Sequence, residues 1–160
     1  MNHPVPESIA KGTTALKPLV DLSTVSEAIR SYPFPQADLI LGIASGGTFP
    51  AILIAHQLGL PFRSVQVNYR NELNQPHRQA PEFLSALQLP VISPSSTILL
   101  VDDVSVSGKT LGKVKAALPD YYKVITLVLK GKADHVLLPH LNTCVTWPWH
   151  PPINTPQHEG

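Results

Sequence analysis

Ile98-Leu99-Leu100-Val101-Asp102-Asp103-Val104-Ser105-Val106-Ser107-Gly108-Lys109-Thr110-Leu111 is the stretch that decides how this 160-residue chain folds. Thr97–Val101 is apolar at nearly every position, as a strand is when both faces of a parallel sheet are covered, and it is expected to end at Asp102-Asp103. Two adjacent carboxylates at the end of a buried strand repel one another and lose hydration. That cost is best explained if something accepts them: a pair of sugar hydroxyls, a divalent cation, or both. The next turn does the complementary job. Ser105, Ser107 and Thr110 supply hydroxyls and Gly108 lets the backbone approach closely. A helix from about Lys109 to Leu118, stopped by Pro119, presents its unpaired N–H groups to an anion. Gly108-Lys109-Thr110 looks like the end of a P-loop, but that motif needs glycine where Asp103 stands, and an acid there would repel phosphates. From these residues alone, a bland alternative stays open in which the two acids merely cap the helix.

The same strand–turn–helix pattern occurs upstream. Asp38–Ala44 is a nearly continuous apolar run that breaks at Ser45-Gly46-Gly47-Thr48. Pro50 suits a first helical turn, and the helix it opens is expected to end at Gly59. Earlier, Thr24 and Glu27 form a capping-box pattern for a short helix ending before Pro33. Further strands are expected at Phe62–Tyr69, Tyr122–Leu129 and Thr143–Trp147. Residues 70–95 begin as a long polar excursion, with a helical turn expected around Glu82–Leu87. Alternating strands and helices imply an α/β fold, a doubly wound and mainly parallel sheet whose ligands bind beyond the carboxyl ends of the strands. Both glycine turns lie at those ends. Residues 1–19 read as an irregular arm, 20–150 as one domain and 151–160 as a tail.

Composition narrows the function classes. Twelve Lys+Arg against eleven Asp+Glu give a net charge of +1, without the basic excess of a protein that grips nucleic acid. The single Cys144 cannot form an internal disulfide and suggests a reducing compartment. No apolar run approaches the ~20 residues needed to cross a bilayer, and Met1–Ala10 has no signal-peptide pattern. A cytoplasmic protein without membrane or nucleic-acid partners is expected.

The Ile98–Leu111 stretch resembles the phosphoribosyl-pyrophosphate (PRPP) motif of the type I phosphoribosyltransferases: four apolar residues, two acids, then a small-residue turn with Ser-Gly-x-Thr. Asp38–Ala51 is similar to that family's pyrophosphate-loop segment, and Asn68-Tyr69 falls where its mobile loop opens. Cys144-Val145-Thr146-Trp147-Pro148-Trp149 is similar to the closing segment of the bacterial xanthine-guanine and hypoxanthine-type members. The resemblance spans about residues 20–150. It implies the type I phosphoribosyltransferase fold, with a mobile loop at about 69–95 and a C-terminal hood at about 131–150. The implied reaction is displacement of pyrophosphate from PRPP by a nitrogenous, purine-like base, in a homodimer using Mg²⁺.

By the same resemblance, Asp102 and Asp103 are the catalytic acids. They hold the ribose hydroxyls and, mainly through these, the metal. Ser105, Val106, Ser107, Gly108, Lys109 and Thr110 hold the 5′-phosphate. Ser45, Gly46 and Gly47 offer backbone N–H groups to pyrophosphate, with a non-proline cis bond expected there. Tyr69 and Arg70 open the loop that closes the site, and Lys130, Cys144, Val145 and Trp147 meet the base. Three positions depart from the purine-type pattern. Ser45 replaces a cation, Val106 replaces an acid near N7 of the base, and Cys144 replaces a stacking aromatic residue. These departures define the alternative, a catalytically weak or inactive sensor that binds PRPP or a nucleoside monophosphate. Other residues take plainer readings. His56 is expected to be packed or at a subunit contact, His77 and Arg78 to be solvated, and His135, His140 and His150 to titrate in solvent.

Overall fold

A computed structural model describes residues 17–68 and 81–150. The order of elements is α1 (Leu22–Ser31), β1 (Leu39–Ala44), α2 (Thr48–Leu58), β2 (Phe62–Asn68), β3 (Glu82–Phe83), β4 (Thr97–Ser105), α3 (Lys109–Ala117), β5 (Lys123–Gly131) and β6 (His135–Val136). The six strands form one sheet in the order β3-β2-β1-β4-β5-β6. Every pairing is parallel except β2 with β3. The two central strands, β1 and β4, carry the two glycine turns, and the sheet order changes direction between them. In open α/β sheets a ligand crevice forms at such a point.

Alternation along these strands sorts the core into two layers. Ile40, Leu99, Val101, Leu127 and Leu129 join Val25 and Ile29 of α1 and Ala51, Ile54 and Ala55 of α2. Leu39, Leu41, Ile43, Ile98, Leu100 and Val128 join Leu111 and Val114 of α3. Both faces of β1 and β4 are therefore covered, which is why their sequences are apolar without alternation.

The structure corrects several expectations. The strand expected to end at Asp102-Asp103 runs on to Ser105, because Asp102, Val104 and Ser105 pair with Val128, Lys130 and Gly131 of β5. Both acids thus lie within the strand. The turn expected around Glu82–Leu87 is the short β3, held in register against Val67 and Asn68. Helix α1 starts at Leu22 after Asp21, without a side-chain cap, so the Thr24/Glu27 box is not formed. Thr143–Trp147 contributes only a parallel bridge of Thr146 to Leu19, which brings part of the expected irregular arm into order. The last strand is β6 instead. His56 is exposed near the end of α2 and so is not packed within the chain, and His135 is held by the Tyr32 hydroxyl, 2.6 Å from its Nδ1. The expected loop residues Tyr69, Arg70, His77 and Arg78 lie outside the described residues.

Asp134 fastens the turn between β5 and β6. Its Oδ2 accepts bonds from the Thr126 N–H and hydroxyl, each 2.9 Å, and its own N–H donates to Thr126 Oγ1 at 2.9 Å. These bonds, the Thr126 N–H first, hold its carboxyl below the usual range. A carboxylate whose folded pKa is lowered contributes stability above its unfolded pKa, and loses it as pH falls through the folded one. Thr126→Val keeps the shape but removes the hydroxyl, so it is expected to lower stability by about 1–2 kcal/mol at neutral pH. The loss should shrink at pH values below the carboxylate range. Urea denaturation at both pH values checks this, and an equal loss at each would assign the effect to packing alone.

Candidate functional site

Asp102 and Asp103 are fixed near the end of β4, between the two turns. The Asp103 N–H donates to Asp102 Oδ1 at 2.9 Å, and the Val104 N–H donates to Asp103 Oδ1 at 2.7 Å. Burial pushes the Asp103 carboxyl above its ordinary range; hydrogen bonding with the Asp102 side chain and the Val104 N–H, and the charge of His150, act the other way. The carboxylate packs against Gly46, where an added Cβ would fall 2.6 Å from its Cγ. Asp102 instead lines the cleft on the other side, together with Val104 and residues 105–111. One acid therefore adjoins each turn.

The turn after β4 is shaped for an anion. Gly108 takes the left-handed conformation at φ 77° and is the N-cap of α3, whose first turn carries no acid. Ser107 Oγ accepts from the Lys109 N–H at 3.3 Å. Ser105, expected in the turn, instead closes the strand; its Oγ is buried without a hydrogen-bond partner among the described residues while it lines the cleft. A hydroxyl in that state fits a ligand oxygen. Val106 stands at the rim, 54% exposed, so an apolar side chain occupies a position of ready access to the cleft.

The other turn follows β1. The Ala44–Ser45 peptide is cis, as the resemblance implied. The Gly47 N–H is committed to the Ile43 carbonyl at 2.8 Å and the Thr48 N–H to the Ser45 carbonyl at 3.2 Å. Of the three residues expected to offer N–H groups, Ser45 and Gly46 are the two not so engaged among the described residues. Ser45 is exposed, and no cation stands in its place.

The expected base-side residues are spread along the C-terminal segment. Lys130 pairs with Val104 across β4 and β5, which brings it beside the cleft. Cys144 is exposed and Val145 half-buried. Trp147, expected against the base, is 2% exposed in the core and stacks on Trp149, so it offers no open ring face. Its place in the core follows from its packing with α1 and the central strands.

Sequence reasoning missed two contributors. Gly131, at φ 109°, closes β5 against Ser105, where an added Cβ would lie 2.8 Å from the Ser105 carbonyl carbon. The Lys132 N–H donates to the Ser105 carbonyl at 2.8 Å. A glycine directly after a long apolar strand was the available signal. His150 is exposed, as expected, and its charge acts on the Asp103 carboxyl only as a secondary influence after burial.

Residues 24–147 match the family model of the phosphoribosyl transferase domain. The chain belongs to that family. The xanthine-guanine phosphoribosyltransferase of Cereibacter sphaeroides is 32% identical over 80 residues, which are 50% of this chain and 47% of that protein, so the match spans about half of the curated relative. The purine phosphoribosyltransferase of Pyrococcus horikoshii superposes with a TM-score of 0.63 at 22% identity, over 86% of this chain and 97% of that one. A Neisseria gonorrhoeae protein solved with bound ppGpp superposes with a TM-score of 0.66 at 20% identity, over 84% and 90%. These structures establish a type I phosphoribosyltransferase fold.

Among the described residues, no group of three or more His, Cys, Asp or Glu could hold an ion. Two adjacent carboxylates, one of them desolvated, fit a Mg²⁺ ion whose remaining oxygen ligands come from the substrate. Among the described residues, no helix is long and apolar enough to cross a membrane.

Proposed function

We propose that this chain transfers the 5-phosphoribosyl group of PRPP to a nitrogenous, purine-like base and releases pyrophosphate. The observation that carries this reading is the position of the acid pair, with Asp103 against the Gly46 turn and Asp102 in the cleft of the Gly108 turn. A sugar bearing phosphate groups at both ends spans such an arrangement. In the reaction, the bond from the anomeric carbon to pyrophosphate breaks with its electron pair leaving on oxygen. A base nitrogen then bonds that carbon, and its proton is lost.

Asp102 and Asp103 would orient the ribose hydroxyls and steady the positive charge that develops on the sugar. The Ser105–Thr110 turn would fix the 5′-phosphate, and Ser45 and Gly46 would donate N–H groups to pyrophosphate. Mg²⁺, when bound, would neutralise charge on the pyrophosphate oxygens. Tyr69 and Arg70 would open the closing loop within about 69–95, and Lys130, Cys144 and Val145 would line the base side. The domain would occupy 20–150, with a hood at about 131–150. Ile52 on α2, 45% exposed, and the part of the Phe49 ring that Trp149 leaves open support a homodimer, since they present apolar surface to solvent. A cytoplasmic enzyme acting on PRPP and a free base fits a chain of near-neutral charge.

One observation favours a second reading. Ser45 carries no charge toward the leaving group, and Val106 offers no proton acceptor toward the base. A catalytically weak or inactive sensor of PRPP or of a nucleotide fits those two residues, and the Neisseria relative shows a guanosine nucleotide bound to this fold. Pyrophosphate release from Mg-PRPP with hypoxanthine, guanine, xanthine, adenine, uracil and orotate separates the two. Turnover with a purine is expected. Tight PRPP binding without release across the panel would replace the enzyme reading with the sensor.

A further inference from the structure

The last described segment carries a ladder of rings that no part of the site above uses. Trp147, in the core, stacks on Trp149 with ring centroids 5.6 Å apart and planes 7° apart. Trp149 stacks in turn on Phe49, at 5.8 Å and 14°. Phe49 is in the first turn of α2, two residues after Gly47. His150 lies edge-on to Trp149 at 6.4 Å, and its N–H is tied to the Trp147 carbonyl at 3.0 Å. One four-residue stretch therefore touches the helix that leaves the Ser45–Gly47 turn. The far turn, residues 105–110, shares none of these ring contacts.

We propose that Trp149 is a positioning residue for the Ser45–Gly47 turn. It is clamped between a core indole and the Phe49 ring, and so fixes where α2 begins. Ser45 and Gly46 have no side chain that could anchor them: one is an exposed hydroxyl and the other has no Cβ. Their N–H groups are held in place by the backbone, through β1 on one side and α2 on the other, with the Asp103 carboxylate packed against Gly46. Stacked aromatic pairs supply a preferred plane and separation, which an aliphatic contact does not. This inference rests on the reading that the turn receives pyrophosphate.

The test compares two ligands, Mg-PRPP and ribose 5-phosphate, by calorimetry on the full chain. Ribose 5-phosphate engages the far turn and the acids but has no pyrophosphate. Trp149→Ala is expected to weaken Mg-PRPP binding about tenfold while leaving ribose 5-phosphate within about twofold. Trp149→Phe should restore most of the loss. Phe49→Ala changes a residue that is 53% exposed, so the variant folds even if Trp149→Ala does not, and the same selective loss is expected from it. The chain's two tryptophans are both in the ladder, so their exciton signal in circular dichroism reports the stack directly. It should shift when inorganic pyrophosphate is added with Mg²⁺. Equal losses for both ligands, or none for either, would overturn the positioning role. If the unaltered chain binds neither ligand, the proposed function itself is wrong, which is seen before any variant is made.

Discussion

Asp103→Asn is expected to weaken binding of Mg-PRPP and of a nucleoside monophosphate by roughly 10- to 150-fold, corresponding to about 1.5–3 kcal/mol for hydrogen bonds to a charged group. The fold should not suffer. Asp103 is desolvated against Gly46, and burial is the largest influence on its carboxyl, raising it above the usual range. A charge held in such a place destabilises the ligand-free protein. The amide is the same shape, can still accept the Val104 N–H, and carries no charge to desolvate. The melting temperature of the variant should therefore equal or exceed that of the original chain. Calorimetric titration and a thermal melt on the same sample check both halves. Unchanged affinity would reduce the acid pair to a helix cap, the alternative that the isolated motif left open.

This separation between binding and stability marks where the sequence was legible. β1, β4 and β5 could be read because burial on both faces leaves an apolar run bounded by turn residues, and that pattern is local. The Gly108 turn was legible for the same reason, since its hydroxyls and the helix start are contiguous. What escaped reading depends on partners distant in sequence. Ser105 looks like the first residue of a turn until β5 pairs with it, and only that pairing makes it a buried strand residue. Glu82 and Phe83 become a strand because β2 presents an edge, not because two residues specify one. Trp147 sits in a segment that resembles a base-binding hood, yet its ring enters the core, where α1 and the sheet leave space for an indole.

Gly47→Ala is expected to cost about 3 kcal/mol or more, the upper part of the range for overpacking, and with it most of the binding. The residue's φ of −81° is one that alanine adopts freely, so the effect is a matter of space alone. A Cβ there would stand 2.6 Å from the carbonyl oxygens of Ile43 and Val101 and 2.9 Å from Asp102 Cα. All three are backbone atoms of the two central strands, and none can rotate away. Relief requires β1 and β4 to separate, which moves Asp102 and breaks register where the sheet is most buried. Gly46→Ala poses the opposite case. Its nearest obstacle is the Asp103 carboxylate, the end of a side chain that can turn aside. That variant should keep most of its stability and lose PRPP affinity, because the acid it displaces is the one assigned to the ribose. Urea denaturation and PRPP titration of the two variants side by side measure the contrast. If both lost stability alike, Asp103 would be as immovable as the backbone, and the close fit of acid against glycine would serve the fold and not the ligand.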